Sequence, residues 1–207
     1  MRELDEMETS ALLEVGNIGS GHAAATLAEI VGRRVDVNVP KVWVARPPHF
    51  PSGFGAKTSM IATHFKVLGE PSGGILFTLT QTNAQKLLDL VIHSQGGFGA
   101  EWGEMEESNL KETGLILCAS YLNALNQLMR LRLIPSIPKI LYGETEKVFF
   151  QAFGGLPSPL ESSIGVLNQF VELSTGLEAF FFFIPDPSGL QMILERLGVT
   201  VSDERID

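Results

Sequence analysis

Apolar residues near the start of the chain recur at the spacing of a helix. Leu4, Met7, Ala11, Val15 and Ile18 follow one another at intervals of three and four residues. This spacing predicts a helix that buries one apolar stripe. Residues 23–30 continue a helix-favouring composition until Gly32, where a helix C-terminus is expected.

Farther along, the apolar pattern changes to that of strands. Apolar residues alternate or run together, with weaker alternation in the second stretch, over residues 35–39, 60–67, 75–79 and 179–184. Two short helices are predicted over residues 84–93 and 189–197, with Asn83 and Ser188 as N-caps and Gly198 as the stop of the second. The pattern therefore predicts a mixed fold rather than an all-helical or all-strand one.

An internal repeat organises these elements. With an offset of 98 residues, Val39–Val42 (VPKV) aligns with Ile137–Ile140 (IPKI). The same offset aligns Ser10 with Ser108, Glu14 with Glu112, Gly16 with Gly114 and Leu27 with Leu125. Chance similarity between two helix–strand segments is the alternative explanation. Matching polar residues, glycines and prolines at one constant shift favour duplication.

The repeat predicts the architecture. We expect one domain over residues 1–207, built of two repeats of about 1–97 and 98–207 that join near Gln95–Ala100. Each repeat is predicted to consist of a helix, several strands and a second helix. The predicted fold class is therefore α+β, with pseudo-twofold symmetry and helices packed on a largely antiparallel β-sheet.

Composition and charge narrow the function classes. The chain has 207 residues, of which 44% are apolar and 19% charged, with a formal net charge of −9. The acidic balance and the lack of a basic run argue against nucleic acid or an anionic membrane as partner. A lone cysteine, Cys118, predicts a reducing compartment. The acidic N-terminus does not resemble a signal peptide, and no stretch is a convincing membrane span. We therefore expect a cytoplasmic protein.

Common catalytic motifs are absent or weak. The four histidines, at positions 22, 49, 64 and 93, lack the spacing of metal ligands, so no metal site is predicted. No G-x-S-x-G motif occurs. The glycine-rich stretch from Gly16 to Gly21 is not preceded by a strand and lacks the G-K-[ST] of a phosphate-binding loop.

A polar pattern on the first helix is the main candidate for chemistry. In Ser10-x3-Glu14-x2-Asn17, the spacing places the three side chains on one side of a helix. An ordinary solvated helix face has the same polarity and is the simpler interpretation. Against it, Ser10 and Glu14 recur in the second repeat, and the downstream Pro40 recurs as Pro138.

The pattern Ser10-x3-Glu14-x2-Asn17-x22-Pro40 resembles the signature of the CheC, CheX and FliY chemotaxis phosphatases. The resemblance covers essentially the whole chain, because a duplicated unit is the organisation of that family. It implies an enzyme that hydrolyses the aspartyl phosphate of the response regulator CheY. It also implies that Asn17 orients the attacking water and that Glu14 pairs with a lysine of the regulator, with Ser10 and Pro40 as supporting residues.

The resemblance has further implications. The family's metal, Mg²⁺, belongs to the regulator, so no cofactor of the chain's own is expected. Small residues at 16, 19, 20 and 21 are expected to let the first helix lie close to its partner. The receptor deamidase CheD is a possible second partner.

The second repeat departs from the family pattern. Ser108, Glu112 and Pro138 are present, but Leu115 occupies the position of the asparagine. We expect this second site to be degenerate. A nearby Glu106-x2-Asn109 restores the spacing but lacks the accompanying serine and proline, and we interpret it as accidental.

Two other functions stay open at this point. The chain could be a non-catalytic CheC-type module that sequesters phosphorylated CheY or regulates CheD. It could also be a structural part of the flagellar switch, since the FliM middle domain shares the fold without the motif. The presence of both Glu14 and Asn17 argues against the switch component.

Overall fold

The computed structural model describes residues 4–44, 57–93, 103–153 and 164–199. In these ranges the chain forms five helices, α1 (Glu6–Val31), α2 (Gln81–His93), α3 (Glu104–Met129), α4 (Thr145–Phe153) and α5 (Pro187–Arg196). The strands there are β1 (Asp36–Val37), β2 (Lys41–Val44), β3 (Ser59–Leu68), β4 (Gly73–Thr80), β5 (Ile134–Pro135), β6 (Lys139–Glu144), β7 (Ile164–Glu172) and β8 (Leu177–Pro185). The α+β class is confirmed. The predicted junction at Gln95–Ala100 lies outside the described residues.

The long helices α1 and α3 begin and end at positions 98 residues apart. Their first turns are closed in related ways. Glu8 accepts a hydrogen bond from the backbone N–H of Asp5 at 3.0 Å and donates its own N–H to the Asp5 side chain at 2.8 Å. Glu106 accepts from the N–H of Gly103 at 2.8 Å. Both helices end at a left-handed residue, Gly32 in α1 and Arg130 in α3. The 98-residue offset found in the sequence thus also separates the two long helices.

The caps of the two short helices differ from the prediction. For α2, Thr80 is the capping residue, because its Oγ1 accepts the N–H of Asn83 at 3.2 Å. For α5, Asp186 caps the helix by accepting the N–H of Gly189, and Pro187 occupies the first turn. The predicted caps Asn83 and Ser188 were therefore wrong, because several side chains near each start could serve as acceptor. Gly198 does follow the end of α5, with a positive φ of 79°.

The eight strands of the described residues belong to one antiparallel sheet in the order β1-β7-β8-β4-β3-β5, with β2 also on β7 and β6 also on β3. The outer strands exchange between halves of the chain. Strands β1 and β2 pair with β7 from the second half, whereas β5 and β6 pair with β3 from the first half. The two halves therefore complete each other's sheet, and neither can form its full set of pairings alone.

Helices cover both faces of the sheet. On one face, α1, α2, α3 and α5 enclose the larger core, which includes Phe65, Phe77, Phe170 and Phe181. On the other face, Phe149 and Phe153 of α4 pack on a smaller cluster. Burial of this apolar area is the main favourable term in folding.

The buried line of α1 differs from the predicted stripe. Val15 is fully buried as expected, but Met7 is 65% exposed and Ile18 is only half-buried. The buried line instead includes Leu12, Gly19 and Ala23. The prediction failed because it weighted side-chain apolarity, whereas α1 packs through glycine and alanine, which permit close approach.

Candidate active site

Ser10, Glu14 and Asn17 lie on the solvent-exposed face of α1. At about 100° per residue, Glu14 is about 60° from Asn17 and about 40° from Ser10 around the helix axis. The three side chains consequently share one face, over about two turns. The structure brings together the three helical residues that the sequence pattern singled out.

Pro40 lies on the opposite, inner side of this turn. It is buried, and it directly precedes β2. A Cβ atom built on Gly16 would lie 2.9 Å from Pro40 Cβ and 2.6 Å from Val166 Cγ1. The backbone of α1 between Glu14 and Asn17 therefore rests directly on Pro40 and Val166. Sequence reasoning did not single out Val166; the recurrence of Gly16 as Gly114 was the available signal that this helix position is packed closely.

Two further small residues of α1 also pack inward. A Cβ on Gly19 would lie 2.5 Å from the ring of Tyr121 in α3, and Ser20 is buried with its hydroxyl donating to the carbonyl of Asn17 at 3.3 Å. Gly21 is exposed, with open space around it. The expectation that all four small residues face a partner is therefore wrong for 16, 19 and 20, which serve contacts within the chain.

Helices α1 and α3 pack against each other in one layer. Thr26 donates a hydrogen bond to Ser120 at 2.8 Å, and Gly19 contacts Tyr121 nearby. Glu14 and Asn17 precede these contacts along α1, and their equivalents precede them along α3. Each repeat therefore presents its own candidate face.

The equivalent face of α3 carries a different chemistry. Ser108 and Glu112 are exposed like their counterparts, but Leu115 is 36% exposed at the position of the amide. Leu115 also lines a shallow groove between α1 and α3 with Ile116 and His22. Pro138 is half-buried, whereas Pro40 is buried. The second face thus retains the serine and the carboxylate without a group that can hydrogen-bond a water at the third position.

The alternative spacing Glu106-x2-Asn109 is occupied by contacts within α3. The Glu106 side chain is buried and accepts the N–H of Gly103. The side chain of Asn109 donates to the carbonyl of Met105 at 2.9 Å. Both polar groups help to close the first turns of their own helix, which agrees with the interpretation that this spacing is accidental.

Other potentially reactive groups do not assemble into a site. Within the described residues no group of three or more His, Cys, Asp or Glu side chains could hold a metal ion. Cys118 is fully buried, and burial raises the pKa of its thiol, which disfavours the nucleophilic thiolate. In that same part of the chain, no helix is long and apolar enough to cross a membrane.

His64 is a buried histidine beneath α4. Its ring contacts the edge of Phe153, with centroids 5.7 Å apart. Burial, aided by the charges of Lys139 and Lys66, lowers the pKa of His64 to about 4. His64 is therefore neutral in the folded protein at neutral pH.

The free energy of unfolding is expected to fall as the pH drops from about 7 to 5. The unfolded state takes up the proton near its ordinary pKa of 6.5, whereas the folded state resists protonation until about pH 4. The loss should be on the order of 1–2 kcal/mol. Chemical denaturation at both pH values should show a smaller loss for His64→Gln than for the wild type, and equal losses would contradict this assignment.

Comparison with known proteins shows a similarity to CheC-like proteins. A sequence model of the CheC-like family matches residues 7–44, the segment that holds Ser10, Glu14, Asn17 and Pro40. The CheY-P phosphatase CheC of Bacillus subtilis is 29% identical over 203 residues, which cover 96% of this chain and 97% of that protein. The chain is thus similar to proteins of the CheC-like family, over its first helix by the family model and over nearly its whole length by the B. subtilis relative.

Solved structures of similar fold agree with a CheC-like architecture. FliY of Thermotoga maritima superposes with a TM-score of 0.74 at 18% identity, covering 95% of this chain and 98% of that one. CheX from the CheX–CheY–BeF₃–Mg²⁺ complex of Borrelia burgdorferi gives a TM-score of 0.57 at 13% identity, covering 84% and 97%. At these identities the likeness shows a shared fold. The described arrangement of helices on one antiparallel sheet is thus a fold shared with FliY and CheX.

Proposed function

We propose that this CheC-like chain is a phosphatase that hydrolyses the aspartyl phosphate of the chemotaxis response regulator CheY. The observation that carries the proposal is the exposed Glu14–Asn17 turn, held over buried Pro40 within the segment that matches the family. Two further points support it. The B. subtilis relative is a CheY-P phosphatase, and the Borrelia relative forms a complex with CheY, BeF₃ and Mg²⁺.

The reaction requires a water molecule in line with the scissile P–O bond. Phosphoryl transfer depends chiefly on positioning and on charge stabilisation, so the phosphatase needs to add few groups. A carboxamide suits this task because it both donates and accepts hydrogen bonds and does not titrate. We assign this role to Asn17, whose side chain is exposed and free to enter the partner's active site. The Mg²⁺ ion belongs to the regulator in this proposal.

Glu14 is assigned to docking. It lies one helical turn from Asn17 on the same exposed face, so a basic group of the regulator that contacts Glu14 stands near the reacting phosphoryl group. A lysine beside the phosphoryl group is the expected partner. Such a pair contributes to the rate of association and to the orientation of the complex. Ser10 extends the same face by another turn, and Pro40 supports it from within.

We further propose that the chain is one domain of two repeats and that it acts in the cytoplasm. The recurrence of α1 as α3 and the exchange of outer strands support a single folding unit. The cytoplasmic location follows from the proposed substrate, a regulator of intracellular signalling, and agrees with a single buried thiol. CheD is proposed only as a further partner by family resemblance.

The second face is proposed to be catalytically silent. Leu115 can neither donate nor accept a hydrogen bond, so the α3 face cannot orient water as Asn17 does. Glu112→Ala should leave kcat/KM within about twofold, which is well under 1 kcal/mol of barrier. Steady-state phosphate release measures this. If activity survived Asn17→Ala but vanished in the double variant with Glu112→Ala, the second face would be catalytic.

Binding without turnover is the second candidate function. The exposed carboxylate on each long helix would allow docking even if hydrolysis were negligible. Phosphorylated CheY, mixed with an equimolar amount of the chain, separates the possibilities. Faster loss of the phosphoryl group than in CheY alone supports the phosphatase. Slower loss supports a sequestering module, and an unchanged rate without detectable binding supports a structural switch component.

A further inference from the structure

We propose that Gly16 is a positioning residue for the Glu14–Asn17 turn and that Val166, from the second half of the chain, sets the height of this turn above the sheet. The inference rests on the proposed phosphatase function and deepens it. Neither residue belongs to the Ser10–Glu14–Asn17–Pro40 pattern, and neither reaches solvent at the face that would meet CheY.

The geometry at Gly16 leaves no room for a side chain. A Cβ there would lie 2.6 Å from Val166 Cγ1 and 2.9 and 3.1 Å from Pro40 Cβ and Cγ. Carbon atoms in favourable contact are about 3.5–4.0 Å apart. The backbone of α1 therefore lies closer to Pro40 and Val166 than a residue with a Cβ atom would allow without a shift. We call this arrangement the Gly16 contact. Gly16 lies between Glu14 and Asn17 along the helix, so this contact fixes the positions of both residues.

Both supports of the Gly16 contact lie in or next to one strand ladder. Val166 is a buried residue of β7 and pairs with Val42 of β2, and Pro40 directly precedes β2. The strand exchange thus places a residue of the second half beneath the candidate site of the first half. A packed ladder of this kind is stiff, because protein interiors are close-packed and resist compression.

The equivalent position in α3 is packed less tightly. A Cβ on Gly114 would meet Thr63 at 3.2 Å and Phe65 Cζ at 3.3 Å, distances that a small shift of the neighbours can relieve. Pro138 is not among its three nearest neighbours. The close support therefore lies beneath α1, the helix that carries Asn17. Gly114→Ala is a matched control for Gly16→Ala, because both substitutions give the same gain in helix propensity.

Displacement of the turn should affect the reaction more than binding. Orientation of a water requires placement within a fraction of an ångström, and a shift of about 1 Å can cost about 100-fold in rate. Electrostatic attraction at Glu14 falls off only gradually with distance. The methyl group of Gly16→Ala is expected to displace the helix. It should therefore lower the rate of hydrolysis more than the affinity for CheY.

The test compares kcat with the affinity for CheY that carries BeF₃ and Mg²⁺. Gly16→Ala should lower kcat at least about tenfold and change the affinity less than about threefold. The double variant Gly16→Ala with Val166→Ala removes the Cγ1 atom of the closest contact, and it should recover part of the lost kcat, because the contact with Pro40 Cβ at 2.9 Å stays. Gly114→Ala should keep kcat within about twofold.

A wild-type kcat in folded Gly16→Ala would overturn the inference, and so would an equal loss in Gly114→Ala or a failure of Val166→Ala to restore activity. If Gly16→Ala does not fold, Pro40→Ala is the alternative variant, because it removes one support without adding volume. It should likewise lower kcat and leave the affinity unchanged. An unaltered kcat in Pro40→Ala would again refute the positioning role. An inactive wild type would refute the proposed function itself, which separates the two failures.

Discussion

Asn17→Ala is expected to lower kcat for hydrolysis of phosphorylated CheY by about 100-fold or more. Removal of one preorganised hydrogen-bonding group that acts in the transition state commonly has an effect of this size. The fold should be unaffected, because the side chain is exposed on α1 and alanine favours a helix. The affinity for CheY with BeF₃ and Mg²⁺ should change little, so the effect should fall on kcat.

A matched control is available on the other long helix. Asn123 is an exposed asparagine of α3, and Asn123→Ala makes the same chemical change outside the candidate site. Rapid-mixing measurements at saturating regulator should show wild-type kcat for this variant. Undiminished turnover by Asn17→Ala would end the proposed mechanism, and an equal loss in both variants would point to a general effect of asparagine removal.

Glu14→Lys is expected to weaken the complex with phosphorylated CheY by about 10-fold to 100-fold, chiefly through an altered association rate. The substitution replaces an attractive pair with a repulsive one at an exposed position. Raised ionic strength should weaken wild-type binding in the same direction, because salt screens exposed charges. Titration at low and high salt with fluorescent CheY measures both effects.

Glu112→Lys is the matched control, since Glu112 occupies the equivalent exposed position of α3 and the net charge changes equally. Long-range effects of net charge are then the same in both variants, and only the location differs. The control should bind within about threefold of wild type. If Glu14→Lys bound as tightly as wild type at low salt, or if both variants were equally weakened, the docking role of Glu14 would be wrong.

The 98-residue offset in the sequence also separates the two long helices of the structure, for a physical reason. Duplication preserves local features, which accounts for equal helix lengths and related caps in α1 and α3 at a constant offset. The exposed face of α1 could be predicted from angular spacing alone. The pairing of β2 with β7 could not, because strand exchange between repeats leaves no local signal in either sequence segment.

The neighbours against which α1 packs tightly could not be predicted from the sequence either. The glycines at 16 and 19 permit close approach either of another element of the chain or of a partner protein, and in the structure they lie against Val166 and Tyr121 of the same chain. A glycine permits close approach by any neighbour, and only the tertiary structure tells which neighbour it is. For the same reason, only the tertiary structure shows that Val166, from the second half of the chain, supports the candidate site.

The most direct test of the central claim is a count of turnovers. The chain is mixed with a hundredfold excess of phosphorylated CheY, with Mg²⁺ present, and inorganic phosphate is followed over time. We expect steady release of many equivalents per chain, faster than from CheY alone and reduced to the rate of CheY alone in Asn17→Ala. Release that never exceeds the rate of CheY alone, or that ends after one equivalent per chain, would contradict it.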